Sequence, residues 1–248
     1  MINETEAREW VCDIGRRMHE RGYISGIDGN ISIRMGRSRV MVTPSGVNKG
    51  RLKPSDLMVV DIHDGSPVKG HGTPTSELRM HLTAYRLRPD IGAVVHAHPV
   101  TAVALTVMDT SLSQCLIAED ILQYGIVPTA PYATPGSADL SRAIEKYIVE
   151  HDAIMLSRHG SITVGKDVFQ AYNRLESLEH TALITLRAMQ IGKPRPLPEE
   201  EIEKLIDIAE SMGVHTGWQT FTDKRPDLSP EEKAISDVLI RVLQKLGY

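Results

Sequence analysis

Cysteine, aromatic residues and long apolar runs are scarce in this sequence of 248 residues. Its two cysteines, Cys12 and Cys115, cannot build a disulfide framework, so we expect a protein of the reducing cytoplasm. No apolar run reaches the roughly 20 residues of a membrane helix, and MINETEAREW lacks the apolar centre of a secretion signal, so we expect no membrane partner. Aromatic residues make up only 4% and the net charge is -4, which disfavours nucleic acid as a partner.

The remaining composition is that of a globular protein with an ordinary core. Hydrophobic residues make up 41% and charged residues 24%, which suits one large domain or two small ones. The ten histidines are the unusual count, so their placement carries the functional argument.

Strand-like and helix-like segments alternate as far as residue 191, which predicts an α/β protein with helices packed on a central sheet. The predicted strands 31–35, 40–43 and 57–62 follow one another without helices, so part of the sheet should be antiparallel. Another short strand is predicted at 125–128. The proline-rich KPRPLP at 193–198 is the one convincing linker. We therefore predict a domain over 1–192 and a helical extension over 193–248, packed on the same domain, with helices near 199–211 and 230–246.

Three histidines form the candidate metal site. His96 and His98 lie two residues apart on a predicted strand, so both rings point to the same face. His159 follows another apolar strand and is the best third ligand. Three histidines on zinc leave an open position, which is the catalytic pattern. The alternative is that these are hydrogen-bonded histidines of the core, and the other histidines, including His81, are interpreted in that way.

Glu77 opens a predicted helix after GTPTS, and two interpretations stay open. It either stabilises the helix dipole or acts as a proton shuttle aimed at the metal site. Hydroxyl groups and free amides at the same helix start make an anion site. This helix start and two nearby turns are each ordinary on their own, but together they suggest a site for a phosphate group, which we call the phosphate cradle. The residues of the cradle are Asn30, Ser45, Gly46, Thr75 and Ser76.

These motifs, in this order and spacing, resemble the class II aldolases related to L-fuculose-1-phosphate aldolase and L-ribulose-5-phosphate 4-epimerase, with adducin-like relatives. The resemblance covers residues 4–191. It rests on GNISIR (29–34), VTPSG (42–46), PTSELRMH (74–81), VVHAHPVTAVAL (94–105), PYATPGS (131–137) and LSRHGSITVG (156–165).

The resemblance implies a three-layer α/β/α fold with a mixed, largely antiparallel sheet, and a homotetramer with active sites between subunits. It implies one Zn²⁺ per subunit, or another divalent ion such as Mn²⁺ or Co²⁺, on His96, His98 and His159. Glu77 matches the acid/base, which can also bind the metal, and the cradle residues match those that hold the substrate phosphate. The implied reaction cleaves a ketose 1-phosphate into dihydroxyacetone phosphate and an aldehyde such as L-lactaldehyde.

Other reactions on the same site remain alternatives. Glu77 favours an aldolase over the 4-epimerase, in which aspartate is usual, and a methylthioribulose-1-phosphate dehydratase or a non-catalytic adducin-like scaffold are further alternatives. Fuculose aldolases place a tyrosine from the neighbouring subunit near the site, and this sequence has none there. Cys115 and Leu116 occupy those positions, and the nearby candidates to replace the tyrosine are Glu119, Asp120 and Tyr124.

Overall fold

A computed structural model describes residues 3–219. The helix expected near 230–246 lies outside the described residues. None of the helices within 3–219 is both long enough and apolar enough to cross a membrane.

One eight-stranded sheet forms the centre of the unit that ends at Gly217. Its strand order is β4-β3-β2-β1-β5-β8-β7-β6, and every neighbouring pair is antiparallel except β6 and β7. The predicted mixed, largely antiparallel sheet is therefore confirmed. The strands are β1 (Asn30–Arg34), β2 (Arg39–Val42), β3 (Met58–Asp61), β4 (Pro67–Lys69), β5 (Ala93–Ala97), β6 (Thr129–Ala130), β7 (Ala153–Leu156) and β8 (Gly160–Gly165).

Helices cover both faces of this sheet, as the three-layer prediction requires. α2 and α5 bury Met80 and Ile144 against one face, beside Val94 and Ile162. α1 and α6 pack on the other face. Along the described residues the helices are α1 (Glu4–Glu20), α2 (Leu78–Leu87), α3 (Val100–Val107), α4 (Ala118–Tyr124), α5 (Ala138–Ile148), α6 (Val168–Ile191) and α7 (Glu199–Ser211).

The strand predicted at 125–128 is wrong: Ile126 bonds to the C-terminal extension, and the Pro128 carbonyl accepts from the Met155 amide of β7 at 2.8 Å without extending the strand. Gly125 ends α4 with a φ of 67°, and the next amide, of Ile126, donates to Thr216 O at 2.8 Å. The strand begins only at Thr129. β4 and α4 were not predicted; they are only three and seven residues long.

The first part of the extension packs on the α/β domain. α7 buries Ile202, Ile206 and Ala209, and the Leu197 amide donates to Cys115 O at 3.1 Å. Residues of the extension up to Gly217 thus belong to the same unit as the sheet.

A buried ion-pair cluster ties the start of β7 to its neighbours. The Asp152 carboxylate is 2% exposed and accepts from Arg88 at 2.9 Å and from Arg174 at 2.7 Å. Arg88 also donates to the Ile148 carbonyl, and Arg174 donates to the Val164 carbonyl. Both arginines are almost fully buried, so their charges need acidic partners: Asp152 pairs with both, and Asp90 also pairs with Arg88 at 2.7 Å.

Candidate metal centre

The register of the sheet brings the three predicted histidines together. His96 lies on β5 opposite Asn30 of β1, and His98 follows the end of the same strand. His159 lies in the turn that joins β7 to β8, and β8 is the other neighbour of β5. A left-handed residue, Arg158 with a φ of 56°, turns the backbone back into β8.

Gly160 makes the close approach of the rings sterically feasible. A Cβ atom built on Gly160 would lie 2.3 Å from the Ala97 carbonyl oxygen and 2.7 Å from the His98 ring. It would also lie 3.0 Å from Cε1 of His96. A side chain at this position would therefore push β8 away from β5 at the point where the histidines meet.

The three imidazole rings form a nearly equilateral triangle. Their centroids are 4.9 Å apart for His96–His98 and His96–His159, and 5.0 Å apart for His98–His159. Nε2 of His96 is 3.1 Å from Nε2 of His98. Two nitrogens bound to one zinc ion at 2.0–2.1 Å in tetrahedral geometry would be about 3.3 Å apart. The spacing thus suits a shared ion.

The outer ring nitrogens of His96 and His98 have partners that turn the other ring nitrogen toward the centre. Nδ1 of His96 donates to the Ser161 carbonyl at 2.8 Å, so its Nε2 is unprotonated in the neutral ring. Nδ1 of His98 lies 3.5 Å from the Asp28 carboxylate, an arrangement found behind many zinc-bound histidines. Burial, together with the charges of His96 and His159, lowers the pKa of His98 to about 4, so this ring is neutral at neutral pH.

Glu77 turns its carboxylate toward the histidines and away from solvent. It occupies the N-cap position of α2, but its side chain makes no capping hydrogen bond and the residue is 6% exposed. Oε2 lies 2.9 Å from Nε2 of His96, and Oε1 lies 3.2 Å from Nε2 of His159. Burial alone raises the pKa of Glu77, but His96, His159 and Asn30 outweigh it and hold the pKa well below its usual range.

The donor set fits a divalent cation. Glu77 Oε1 is buried and makes no hydrogen bond to the described residues, although it faces an imidazole nitrogen. Burial opposes a charge on His96, yet Glu77 raises its pKa overall, so positive charge is favoured at this centre. Three imidazole nitrogens and a carboxylate oxygen are typical ligands of zinc.

An open pocket of about 330 Å³ lies directly over this centre. It is lined by every predicted site residue except His96, and also by Asp28 and Lys49. Lys49 is 2% exposed and contributes the only Lys or Arg side chain among the described lining residues. Asp28 and Lys49 were not predicted as site residues, although both lie close to quoted motifs in the sequence.

The two hydroxyl-bearing turns of the cradle lie side by side. A β-bridge joins Pro44 to Pro74, and the Ser45 amide donates to the Thr73 carbonyl at 2.9 Å. This uses the Ser45 amide, and Ser45 itself lines the pocket. Gly46 has a φ of 72°, and nothing lies within 4 Å of the place a Cβ would take. The turn is therefore open to a ligand.

Asn30 lies at the pocket as predicted, but its side chain is engaged inside the protein. Its amide nitrogen donates to Glu77 Oε2 at 2.8 Å, and its oxygen lies 2.5 Å from Nε2 of His81. His81 is therefore more than a wall residue. Glu77 and His81 are four residues apart at the start of one helix, and this spacing is the sequence signal that both face the same neighbour, Asn30.

Glu119, Asp120 and Tyr124, the residues proposed to replace the missing tyrosine, do not line this pocket. Asp120 makes a short hydrogen bond with the Thr181 hydroxyl, and Tyr124 Oη lies 3.2 Å from the same hydroxyl. Both side chains thus contact α6.

Comparisons with known proteins assign the family. The family model for the class II aldolase and adducin N-terminal domain matches residues 9–186. A 5-deoxy-D-ribulose 1-phosphate aldolase from Bacillus thuringiensis serovar kurstaki is 34% identical over 210 residues, covering 83% of this chain and 96% of the relative. A 3-oxo-tetronate 4-phosphate decarboxylase from Haemophilus influenzae is 31% identical over 208 residues, covering 82% and 98%.

A solved structure shows the same fold at similar sequence identity. This protein, an L-fuculose 1-phosphate aldolase, has a TM-score of 0.75 and 31% identity, covering 84% of this chain and 97% of its own. The histidine cluster, the mixed sheet and these matches agree: the chain belongs to the class II aldolase family, and it is a lyase.

Proposed function

We propose that the protein is a zinc-dependent aldolase that cleaves a ketose 1-phosphate into dihydroxyacetone phosphate and an aldehyde. The observation that carries this proposal is the triangle of three imidazoles with the Glu77 carboxylate against His96 and His159. It opens into a pocket with two hydroxyl turns and a lysine in its wall.

His96, His98 and His159 would hold the metal ion, with Glu77 as a further ligand before substrate binds. When bound, a dication there supplies Lewis-acid stabilisation of the negative charge that develops on the sugar oxygens. Mn²⁺ or Co²⁺ would suit the same nitrogen and oxygen donors.

Glu77 transfers the proton to and from the substrate carbon whose carbon–carbon bond is cleaved. Its lowered pKa keeps the carboxylate ionised at neutral pH, so it acts as the base in the condensation direction. In the cleavage direction it returns that proton to the same carbon. Oε2 is held by Asn30, which leaves Oε1 as the oxygen that exchanges the proton.

The cradle residues fix the substrate through its non-reacting phosphate. The hydroxyl groups of Ser45, Thr75 and Ser76 and the amide of Gly46 supply neutral donors. Lys49 supplies a positive charge in a wall that also carries the acids Asp28 and Glu77. Holding the phosphate in place orients the reacting carbons over the metal centre.

The names of two relatives favour a 1-phosphorylated deoxy sugar as the substrate. The names 5-deoxy-D-ribulose 1-phosphate aldolase and L-fuculose 1-phosphate aldolase both describe a ketose with phosphate at carbon 1 and a terminal methyl group. We infer that this chain takes such a sugar and releases a short methyl-ended aldehyde, of which L-lactaldehyde is one example.

A phosphorylated 3-oxo acid is the second candidate substrate. The decarboxylase relative is nearly as similar as the aldolase relative. Loss of carbon dioxide beside a ketone leaves the same negative charge as aldol cleavage, so the same metal centre serves either reaction.

A substrate panel separates these reactions. Zinc-loaded protein is incubated with L-fuculose 1-phosphate, 5-deoxyribulose 1-phosphate, L-ribulose 5-phosphate, methylthioribulose 1-phosphate and a 3-oxo-tetronate 4-phosphate. We expect release of dihydroxyacetone phosphate from the first two. Release of carbon dioxide from the 3-oxo-tetronate 4-phosphate would indicate a decarboxylase instead of an aldolase. If the only product is an epimer or a dehydrated sugar, the protein is an epimerase or a dehydratase.

We also propose a cytoplasmic homotetramer with the active sites near subunit contacts. The apolar residues Val100 and Met108, at the two ends of α3, are 68% and 73% exposed, and α3 follows His98 directly. A second subunit would cover them. Light scattering should give four times the chain mass, and a monomer with full activity would contradict this arrangement.

A further inference from the structure

A buried row of polar side chains leads from the metal centre into the space between β1 and α2. Tyr85 Oη lies 2.9 Å from Ser32 Oγ, which lies 2.6 Å from Nδ1 of His81. Nε2 of His81 lies 2.5 Å from Asn30 Oδ1, and Asn30 Nδ2 donates to Glu77 Oε2 at 2.8 Å. We call these five residues the Tyr85–Glu77 network.

Two matching periodicities build the network. Asn30 and Ser32 are two residues apart on β1, so their side chains share the face that looks toward α2. Glu77, His81 and Tyr85 are four residues apart and therefore form one stripe along α2. Polar residues at these positions are costly in a core unless every one finds a partner.

The hydrogen bonds can run in only one direction. An ionised Glu77 only accepts, so the Asn30 amide must donate with nitrogen and accept with oxygen. The donor to that oxygen is Nε2 of His81. Burial, with the charge of His96, lowers the pKa of His81 to about 3, so the ring is neutral and its Nδ1 accepts. Ser32 therefore donates to His81, and Tyr85 donates to Ser32.

We propose that Ser32, His81 and Tyr85 are positioning residues that act through Asn30 to hold Oε2 of Glu77, so that Oε1 exchanges the proton with substrate. This inference rests on the proposed function. The network explains how Glu77, next to the imidazoles, has one carboxylate oxygen held in place and the other available for proton exchange. Each of the three residues is at most 1% exposed and lines no part of the pocket, so none touches substrate.

The tautomer of His81 is a test that needs no activity. In ¹⁵N-histidine-labelled protein, long-range ¹⁵N–¹H spectra distinguish a ring protonated at Nε2 from one protonated at Nδ1, with His81→Gln used to assign the signal. We expect Nε2–H for His81, retained across neutral pH. An Nδ1–H ring, or a doubly protonated ring, would overturn the network because the Asn30 amide would then face the wrong way.

Kinetics test whether the network acts on proton exchange. The readout is deuterium exchange from solvent into dihydroxyacetone phosphate, beside separate measurements of bound zinc and of inorganic phosphate affinity. We expect His81→Leu to slow exchange about 10²-fold, the usual effect of a misplaced catalytic group. Ser32→Ala and Tyr85→Phe should slow it up to about tenfold. Zinc content and phosphate affinity should stay unchanged.

Two further variants keep the test decisive. His81→Gln retains a donor near the position of Nε2 and should recover much of the exchange rate that His81→Leu loses. Thr83→Val changes another buried residue of α2 outside the network and should leave exchange unchanged.

Unchanged exchange in Ser32→Ala and Tyr85→Phe, or a parallel loss of zinc and phosphate binding, would refute the positioning role. If His81→Leu does not fold, the smaller variants and the tautomer still decide. Wild-type protein that exchanges no proton with dihydroxyacetone phosphate, but shows the Nε2–H ring, would refute the proposed function and leave the network intact.

Discussion

One methyl group at Gly160 tests the geometry of the metal centre directly. The Cβ of Gly160→Ala would lie 2.3 Å from the Ala97 carbonyl oxygen and 2.7 Å from the His98 ring. Non-bonded carbon contacts are normally 3.5–4.0 Å, so β8 must move by about 1 Å or the rings must turn. Either movement separates His159 from the other two ligands.

The expected cost divides between stability and metal binding. Overpacking of a tight interior typically costs about 1–3 kcal/mol of unfolding free energy. Disturbed ligand orientation should weaken zinc binding by about 10–100-fold, or about 1.4–2.8 kcal/mol. Urea unfolding measures the first quantity, and competition with a chromophoric chelator measures the second.

Gly192→Ala is the matched control, because Gly192 has extended backbone (φ 179°) and nothing lies within 4 Å of its would-be Cβ. It should change neither zinc affinity nor stability appreciably. If Gly160→Ala binds zinc as tightly as the control does, the three rings do not depend on this close approach and the derived geometry is wrong.

Three further changes probe the pocket and the core. Lys49→Met should weaken inorganic phosphate binding by about tenfold or more, since hydrogen bonds to charged groups contribute about 1.5–3 kcal/mol, and calorimetry measures it. Asp28→Asn should weaken zinc binding by about tenfold, because it removes the charge behind His98; unaltered affinity in chelator competition would count against it. Asp152→Asn should cost about 3–5 kcal/mol in urea unfolding, because the buried Arg174 loses its counter-charge and Arg88 keeps only its pair with the half-exposed Asp90; a loss below 1 kcal/mol would contradict this.

Residues whose roles follow from local spacing were predictable from the sequence. His96 and His98 alternate on a strand, and that alternation alone places both rings on one face. The run of strands without helices between β1 and β3 correctly predicted antiparallel pairing. The helix expected near 199–211 is α7, with the same bounds.

Features that depend on contacts distant in sequence were not predictable. The segment at 125–128 has strand-like residues, but the Ile126 amide donates to the carbonyl of Thr216, which lies 90 residues later in the sequence. The burial of Lys49 is not predictable from its neighbours, because its ammonium donates at 2.6 Å to the carbonyl of Ile27, 22 residues earlier, as well as to the Val47 carbonyl at 2.9 Å. The direction of the Glu77 side chain likewise depends on Asn30, which lies on another element.

The coordination of one bound zinc ion tests the central claim most directly. Protein loaded with one equivalent of zinc is examined by X-ray absorption at the zinc edge, beside a variant in which His96, His98 and His159 are all alanine. We predict three imidazole nitrogens at about 2.0–2.1 Å in the wild type and no tight zinc in the variant. Fewer than three imidazoles, or the same zinc spectrum from the variant, would contradict the account.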